Sequence, residues 1–426
     1  MRLRYIIVLL IAILLSWVQP AAAQQYPAWI RIGLAESQTE IQLPLDGSEK
    51  LFDISGPKPE ELSLSGDQLL ANFSGEVLFI NNIPAGKGPL VLVPGDSPLV
   101  WKSHNYRGEL VLCSANGRLT LINRLPLEDY LRGVLPKEVS PEWPPAALKA
   151  QAITARTYAI ASLNKHAKAN FDLCATVHCQ VYGGASCETP STDEAVAETA
   201  GQIMTYKGKP ISAYYHAAAG GVTTDAVNVW GSAVPYLKAV PDWDQNSPRY
   251  QWQKILHWSE LQAAAAAVYP KIGRLYRIAP AAFGNDGKLQ KIILSGDNGE
   301  IALTGEQFRL WIGLPSCRLL MGVIYGPDPK ITLWWVHNNA TPEAMVASKD
   351  IPGLSAELIN PPWDLWDPYQ WLQDKEPLQA VFRGSGSGHG VGLSQWGAKG
   401  MADAGYNEQQ ILKHYFPGTE ITNLQF

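Results

Sequence analysis

The sequence predicts an α+β fold, with a β-rich amino-terminal region over residues 24–122 and a mixed helix and strand domain over residues 123–426 that encloses a central cleft. Three observations carry this. Short β-prone runs separated by turn residues fill the stretch from Trp29 to Ile122. The pattern then switches to helical spacing at Leu127 and again at Pro145. Strand-like and helix-like segments alternate from there to the end.

Residues 1–23 carry Arg2 and Arg4, an apolar run from Tyr5 to Val18 and Ala21-Ala22-Ala23 before Gln24. This is the layout of a secretory signal peptide, so the segment is set aside from fold reasoning and export to the periplasm or cell wall is expected. The apolar run is shorter than the roughly 20 residues a spanning helix needs, and no stable membrane insertion is expected after cleavage. Without the signal the balance is 32 basic against 39 acidic residues, a net charge of −7. Such a charge excludes nucleic acid or an anionic membrane as the main partner. The 15 Trp and 17 Tyr are numerous enough to serve both a core and flat faces suited to sugar rings.

In the amino-terminal region the expected strands are Ala28 to Ile32, Glu40 to Leu43, Glu76 to Ile80, Leu90 to Val93, Leu110 to Cys113 and Leu119 to Ile122, with a hairpin turning at Asn116-Gly117. Leu127 to Val134 then fits one short amphipathic helix. Pro145 to about Lys165 fits a longer one, with proline in the first turn, where its missing N–H does no harm. Seven of the 17 residues from Ala146 to Ser162 are alanine, which favours helix and lets neighbours approach closely. This helix is expected to be buried, with the long cation of Arg156 reaching across to Glu138 or to a substrate oxygen. Further on, Asp193 to Thr199 reads as a helix, Ile203 to Tyr206 with Ile211 to His216 as a hairpin, Trp252 to Tyr269 as a helix, and Leu289 to Leu294 and Ile301 to Thr304 as strands. Residues 324–380, rich in Pro, Asp and Trp, read as an irregular insertion covering the cleft.

Glu138 is the leading catalytic candidate. It follows the apolar turn Val134-Leu135-Pro136 and precedes the alanine-rich helix, and a carboxyl held against apolar groups keeps its proton towards neutral pH. A solvated surface glutamate is the ordinary alternative. Near the end, GSGSGHGVGLSQWGA brings His389, Ser394 and Gln395 towards the same place, its glycines allowing close backbone approach to a ligand. His216, in the run YYHAAAGG, is a candidate substrate contact. Cys174, His178 and Cys179, with His166 upstream, offer two thiolates and two imidazoles. A disulfide in an exported chain and a structural zinc compete there. The chemistry calls for no other cofactor.

Several stretches together resemble the SpoIID/LytB family of cell-wall proteins. They are Tyr106-Arg107-Gly108, LPLEDYLRGVLPKEVSPEWP from Leu125, ALKAQAITARTYA from Ala147, HCQVYGG from His178, YYHAAAGG from Tyr214, PYLKAV from Pro235 and GSGHGVGLSQWGA from Gly386, in order over almost 300 residues. The resemblance implies peptidoglycan glycan strands as substrate, with Glu138 at the position of the family's catalytic glutamate and Arg156, Tyr236 and Lys238 at positions of polar residues of its active cleft. It also implies a zinc held by two Cys and two His. Family members include a lytic transglycosylase and an enhancer of amidase activity, so two functions are expected in turn. The first is glycan-strand cleavage in which one glutamate is acid and then base and leaves 1,6-anhydromuramic ends. The second is non-catalytic binding that stimulates a cell-wall amidase.

Overall fold

The computed structural model describes residues 26–424 apart from Glu76, Asn116, Asn285 and the segments 327–330, 339–340 and 348–375. The expected signal peptide lies outside the described residues, as does most of the Pro/Trp-rich stretch. The amino-terminal region is β throughout. A seven-stranded sheet runs Leu173–Cys174, Trp29–Gln38, Arg118–Pro126, Glu109–Ala115, Leu90–Val93, Lys50–Asp53 and Glu60–Leu62 in spatial order, and a four-stranded sheet is built on Glu40–Pro44 and Gln68–Ser74. The Glu109–Ala115 and Arg118–Pro126 strands pair with Ala115 opposite Arg118, and Asn116 of the expected Asn116-Gly117 turn lies outside the described residues. Leu43, Leu69, Leu90, Leu112 and Leu121 are wholly buried between the layers, each contributing roughly 1.5–3 kcal/mol of burial.

The first helix, Leu127–Glu138, starts directly from the last strand, its Leu127 N–H donated to the Ala28 carbonyl at 3.0 Å. Tyr130, Leu131, Val134 and Leu135 form its buried face. Pro136 supplies no N–H to continue the ladder, and the helix ends two residues later, with Val139 extended. The helix Pro145–Ala161 has Pro145 in its first turn and is buried on every side. Helices Pro190–Glu198, Gln395–Asp403 and Glu408–Tyr415 pack around it.

One core unites residues 30–240 with 391–424, while residues 252–382 form a second core of their own. The chain therefore leaves the first body near Arg249 and returns near Ser387, and what lies between is an inserted body. It contains a five-stranded sheet, Gln251–His257, Pro377–Ser385, Leu319–Tyr325, Ile331–Asn338 and Thr341–Ala347, and a three-stranded one, Leu275–Phe283, Leu289–Gly296 and Gly299–Thr304.

Three expectations are corrected here. Gln251–His257 is a strand, and the helix begins only at Trp258; its side chains alternate in exposure, and the seven residues pair with Pro377–Ser385. Within 324–380, Ile331–Asn338 and Thr341–Ala347 are an antiparallel pair, because the β-branched and aromatic run ITLWWVHN finds a sheet edge to join. The hairpin after Gln202–Tyr206 extends only over Lys209–Pro210; Tyr215–His216 pairs instead, in parallel, with Leu393–Ser394.

Candidate active site

Glu138 is the last residue of its helix and half-buried. The negative end of the helix dipole and the loss of water both disfavour its carboxylate. Burial raises its pKa above the ordinary carboxylate value, against the donors that face it, the Val181 N–H, the Tyr215 hydroxyl and the Gln395 amide, which favour the ionised form. Of these, Val181 N–H donates to Oε1 at 3.0 Å. Asp129, on the same helix, faces Arg132 at 4.0 Å, and Glu142 is exposed. The groups that face the acid are thus an amide N–H, a phenol and a carboxamide, with no carboxylate among them.

Gln180 organises these partners. It is buried; its Oε1 accepts from the Tyr130 hydroxyl at 3.1 Å, and its Nε2 donates to the Tyr215 hydroxyl at 3.2 Å and to the Ala155 carbonyl at 3.3 Å. Since the Tyr215 oxygen accepts from Gln180, its own hydrogen is left for Glu138. Burial, followed by the nearby Glu138 charge, pushes the Tyr215 phenol well above its usual range, so it stays a donor. Gln395 is brought in by the Tyr215–Leu393 and His216–Ser394 pairing, and its Nε2 is buried without a protein partner. A buried amide donor left open beside an acid is suited to a ligand oxygen.

The glycine-rich run makes this approach possible. Gly388 and Gly392 have φ of 99° and 75°, and a Cβ on Gly388 would lie 2.8 Å from the Cβ of His216, while one on Gly392 would collide with the Tyr214 carbonyl. The glycines thus serve backbone-to-backbone packing, where the sequence suggested approach to a ligand. His389 Nδ1 accepts from the Val391 N–H at 3.0 Å. Burial and then the Lys288 cation bring its pKa down to about 4, so the ring is neutral at neutral pH. Its ring neighbours are Tyr214, His216 and the exposed Trp230. His216 is buried, with Nδ1 3.2 Å from the Val391 carbonyl and Nε2 unpartnered. Tyr236 packs on Tyr206 and accepts from the Ser212 N–H at 3.2 Å, and Lys238 is exposed; no contact among the described residues joins either to Glu138.

Arg156 requires a correction. Its guanidinium is wholly buried and grips Glu128, not Glu138, and it also donates to the Thr199 hydroxyl and to the Val196 and Gln202 carbonyls. A helix with no exposed face gives a long cation no route to substrate, and the carboxylate within reach is ten residues earlier in sequence than the expected one.

The loop that carries Gln180 and Val181 also carries the Cys/His cluster. His166, Cys174, His178 and Cys179 offer ligand atoms all within 4.8 Å of one another. Cys179 Sγ lies 3.4 Å from His166 Nε2 and 3.5 Å from His178 Nδ1, and Cys174 Sγ lies 3.6 Å from His178 Nδ1. A tetrahedral zinc with bonds of about 2.0–2.3 Å has ligand–ligand edges of about 3.3–3.8 Å, so the donor set and its spacing fit that ion. All five cysteines are free thiols. The loop is anchored on the amino-terminal sheet, with Ile32 opposite Leu173 and Gly33 opposite Cys174 and a forked Arg31–Asp172 ion pair beside them.

Comparison with known proteins now adds to this geometry. Residues 115–206 match the SpoIID family, described as Stage II sporulation protein. An uncharacterized protein of Brachyspira hyodysenteriae is 30% identical over 395 residues, covering 92% of this chain and 93% of that protein. The chain belongs to the SpoIID family. Stage II sporulation protein D of Bacillus subtilis is 29% identical over 71% of this chain and 76% of its own length, and the amidase enhancer of the same organism 30% identical over 69% of this chain and 40% of its own length. Membership brings with it a cell-wall related role. The matched SpoIID window holds Glu138, Gln180, Val181 and all four residues of the Cys/His cluster, and it ends before Tyr215 and Gln395. Among the described residues no helix of this SpoIID-family chain is long and apolar enough to cross a membrane.

Of the residues singled out from sequence, the structure brings Gln395 to Glu138, and His166, Cys174, His178 and Cys179 to one another. Sequence reading missed Gln180, Tyr130 and Trp230. Gln180 sits inside the HCQVYGG motif, and a neutral polar side chain between the Cys/His cluster and two glycines was the available signal.

Proposed function

We propose that the protein is exported and cleaves peptidoglycan glycan strands as a lytic transglycosylase. Glu138, protonated in its partly desolvated setting, gives its proton to the bridging oxygen as the bond between the muramic C1 and the glucosamine O4 breaks. The muramic C6 hydroxyl then bonds to C1, its proton passing to the Glu138 carboxylate, and a 1,6-anhydro end results. One observation carries this reading. The acid is faced by Val181 N–H, Tyr215 and Gln395, with no partner carboxylate among the described residues of the kind hydrolases use to activate water or attack carbon. Tyr215 and Gln395 orient the acid, and the open Gln395 amide takes a substrate oxygen.

In this reading His166, Cys174, His178 and Cys179 hold a structural zinc. Four protein ligands close its coordination sphere, so the ion stiffens the loop that presents Val181 and Gln180 to the acid. The similarity to an amidase enhancer supports a second function, stimulation of a cell-wall amidase by wall binding alone. Product analysis decides between them. Wild-type protein and Glu138→Gln are incubated with intact and peptide-stripped sacculi, and fragments are read by mass spectrometry. Anhydromuramic ends from wild type alone are expected; solely reducing ends, or equal effect from both proteins, would reject the mechanism.

A further inference from the structure

Where the chain crosses between its two bodies, a cavity of about 560 Å³ is walled by the crossing segments and the inserted body. Arg249 and Ser387 come from the two crossing segments, joined by the Gly386 N–H donated to the Arg249 carbonyl at 2.9 Å. Gln253, Lys254, Arg309 and Pro315 come from the inserted body. Three of the lining side chains are cationic and none is acidic. Arg309 is gripped by Glu306 at 2.6 and 2.8 Å, which neutralises one charge. Lys254 closes the end of helix Gly305–Ile312 by donating to the Ile312 carbonyl at 2.6 Å. Arg249 is exposed and has no ion-pair partner among the described residues. The wall therefore has an excess of positive charge, and the volume is in the range that holds a small organic ligand.

This cavity adjoins the proposed active site. Its Pro315 carbonyl accepts from the Gly388 N–H at 2.9 Å, one residue before His389, and the Arg309 cation is near enough to His389 to oppose its protonation. From His389 the line of contacts runs through Tyr214 to Tyr215 and Glu138.

We infer that this junction is a carboxylate-binding subsite that engages the acid groups of the wall polymer away from the bond being cut, with Arg249 as its free cation. The inference rests on peptidoglycan being the substrate. In a glycan strand the carboxylates have two sources: the lactyl group of a muramic residue that has lost its peptide, or the stem peptide itself. A planar guanidinium pairs with either in the same forked geometry.

The test measures binding to the full chain carrying Glu138→Gln, with and without Arg249→Gln, by titration calorimetry. The ligands are peptide-stripped glycan oligosaccharides, the same oligosaccharides with lactyl carboxyls converted to neutral methylamides, and peptide-bearing fragments. Because Arg249 is exposed, its replacement leaves the fold intact; Arg309→Gln serves as a second variant. Arg249→Gln is expected to weaken binding of the stripped glycan at least about threefold and to leave the amidated glycan unchanged. Sensitivity confined to the peptide-bearing fragments assigns the subsite to peptide carboxylates. Equal affinity of both proteins for all three ligands overturns the proposal. The chemistry is read separately: charge-dependent binding without anhydro products from wild type removes the transglycosylase step and keeps the subsite.

Discussion

The guanidinium of Arg156 meets the carboxylate of Glu128 in a fork, with Nη2 2.6 Å from Oε2 and Nε 2.9 Å from Oε1. The arginine is fully buried at the centre of the first core, and the glutamate also accepts the Gly201 N–H at 3.1 Å. The pair ties the helix that ends in the acid to the helix behind it.

Removing one member of such a pair leaves an uncompensated charge inside. Arg156→Met is expected to lower stability by about 3–5 kcal/mol, measured by denaturant unfolding. Its folded fraction is expected to retain the pH profile of wild type, since Arg156 does not touch Glu138.

Glu138→Gln is expected to reduce glycan cleavage by a factor of about 10²–10⁴ or more, with the fold preserved. The variant also reports the acid's own linkage to stability. The folded state binds this proton more tightly than the unfolded chain, because burial raises the pKa above the ordinary 4.5. The group's contribution is fully present below that value and is lost as pH rises through the raised one. Glu138→Gln should therefore gain stability relative to wild type as pH climbs from about 4 to neutrality, seen in paired melting curves.

Cleavage needs Glu138 protonated at the outset, so the rate should fall as pH rises through its pKa. Tyr215→Phe removes a donor that favours the carboxylate. The alkaline limb of the rate profile should then move to higher pH, with a several-fold loss of maximal rate. A limb that stays in place would separate Tyr215 from the acid.

Purified protein should carry about one zinc per chain by elemental analysis. Cys179→Ser should lower both zinc content and melting temperature, the latter by several degrees. After unfolding and metal removal without reductant, thiol titration should count five; three would mean a disulfide in place of the ion.

Gly392→Ala puts a methyl group against the Tyr214 carbonyl at a backbone φ of 75°. The cost is about 2–4 kcal/mol, and the Leu393 N–H to Tyr214 carbonyl bond of 3.1 Å is disturbed. Cleavage should drop more than stability accounts for, because Gln395 is displaced.

Much of this was legible in the chain itself. Turn chemistry at 116–117 and the helical spacing after Leu127 locate the strands and the acid-bearing helix, because those signals are local. Gln251–His257 was mistaken for helix because its partner strand lies more than a hundred residues away, and no local window contains it. Arg156 meets Glu128 where the sequence suggests Glu138 or a substrate oxygen, for the same reason: one helix carries carboxylates at both Glu128 and Glu138, and only packing decides which faces inward. The role of Gln180 depends on hydrogen bonds to Tyr130, Ala155 and Tyr215, three elements that adjoin only once folded.

The parallel pairing of Tyr215–His216 with Leu393–Ser394 has a temporal meaning. A chain made from its amino end emerges with its acid and its Cys/His loop early, and the segment that seats Gln395 arrives only after the whole inserted body has been synthesised. A nascent copy, or one clipped in its final helices, holds Glu138 with Val181 and Tyr215 but without Gln395. On the proposed function, the site is therefore completed only when the residues from Leu393 onward have left the ribosome.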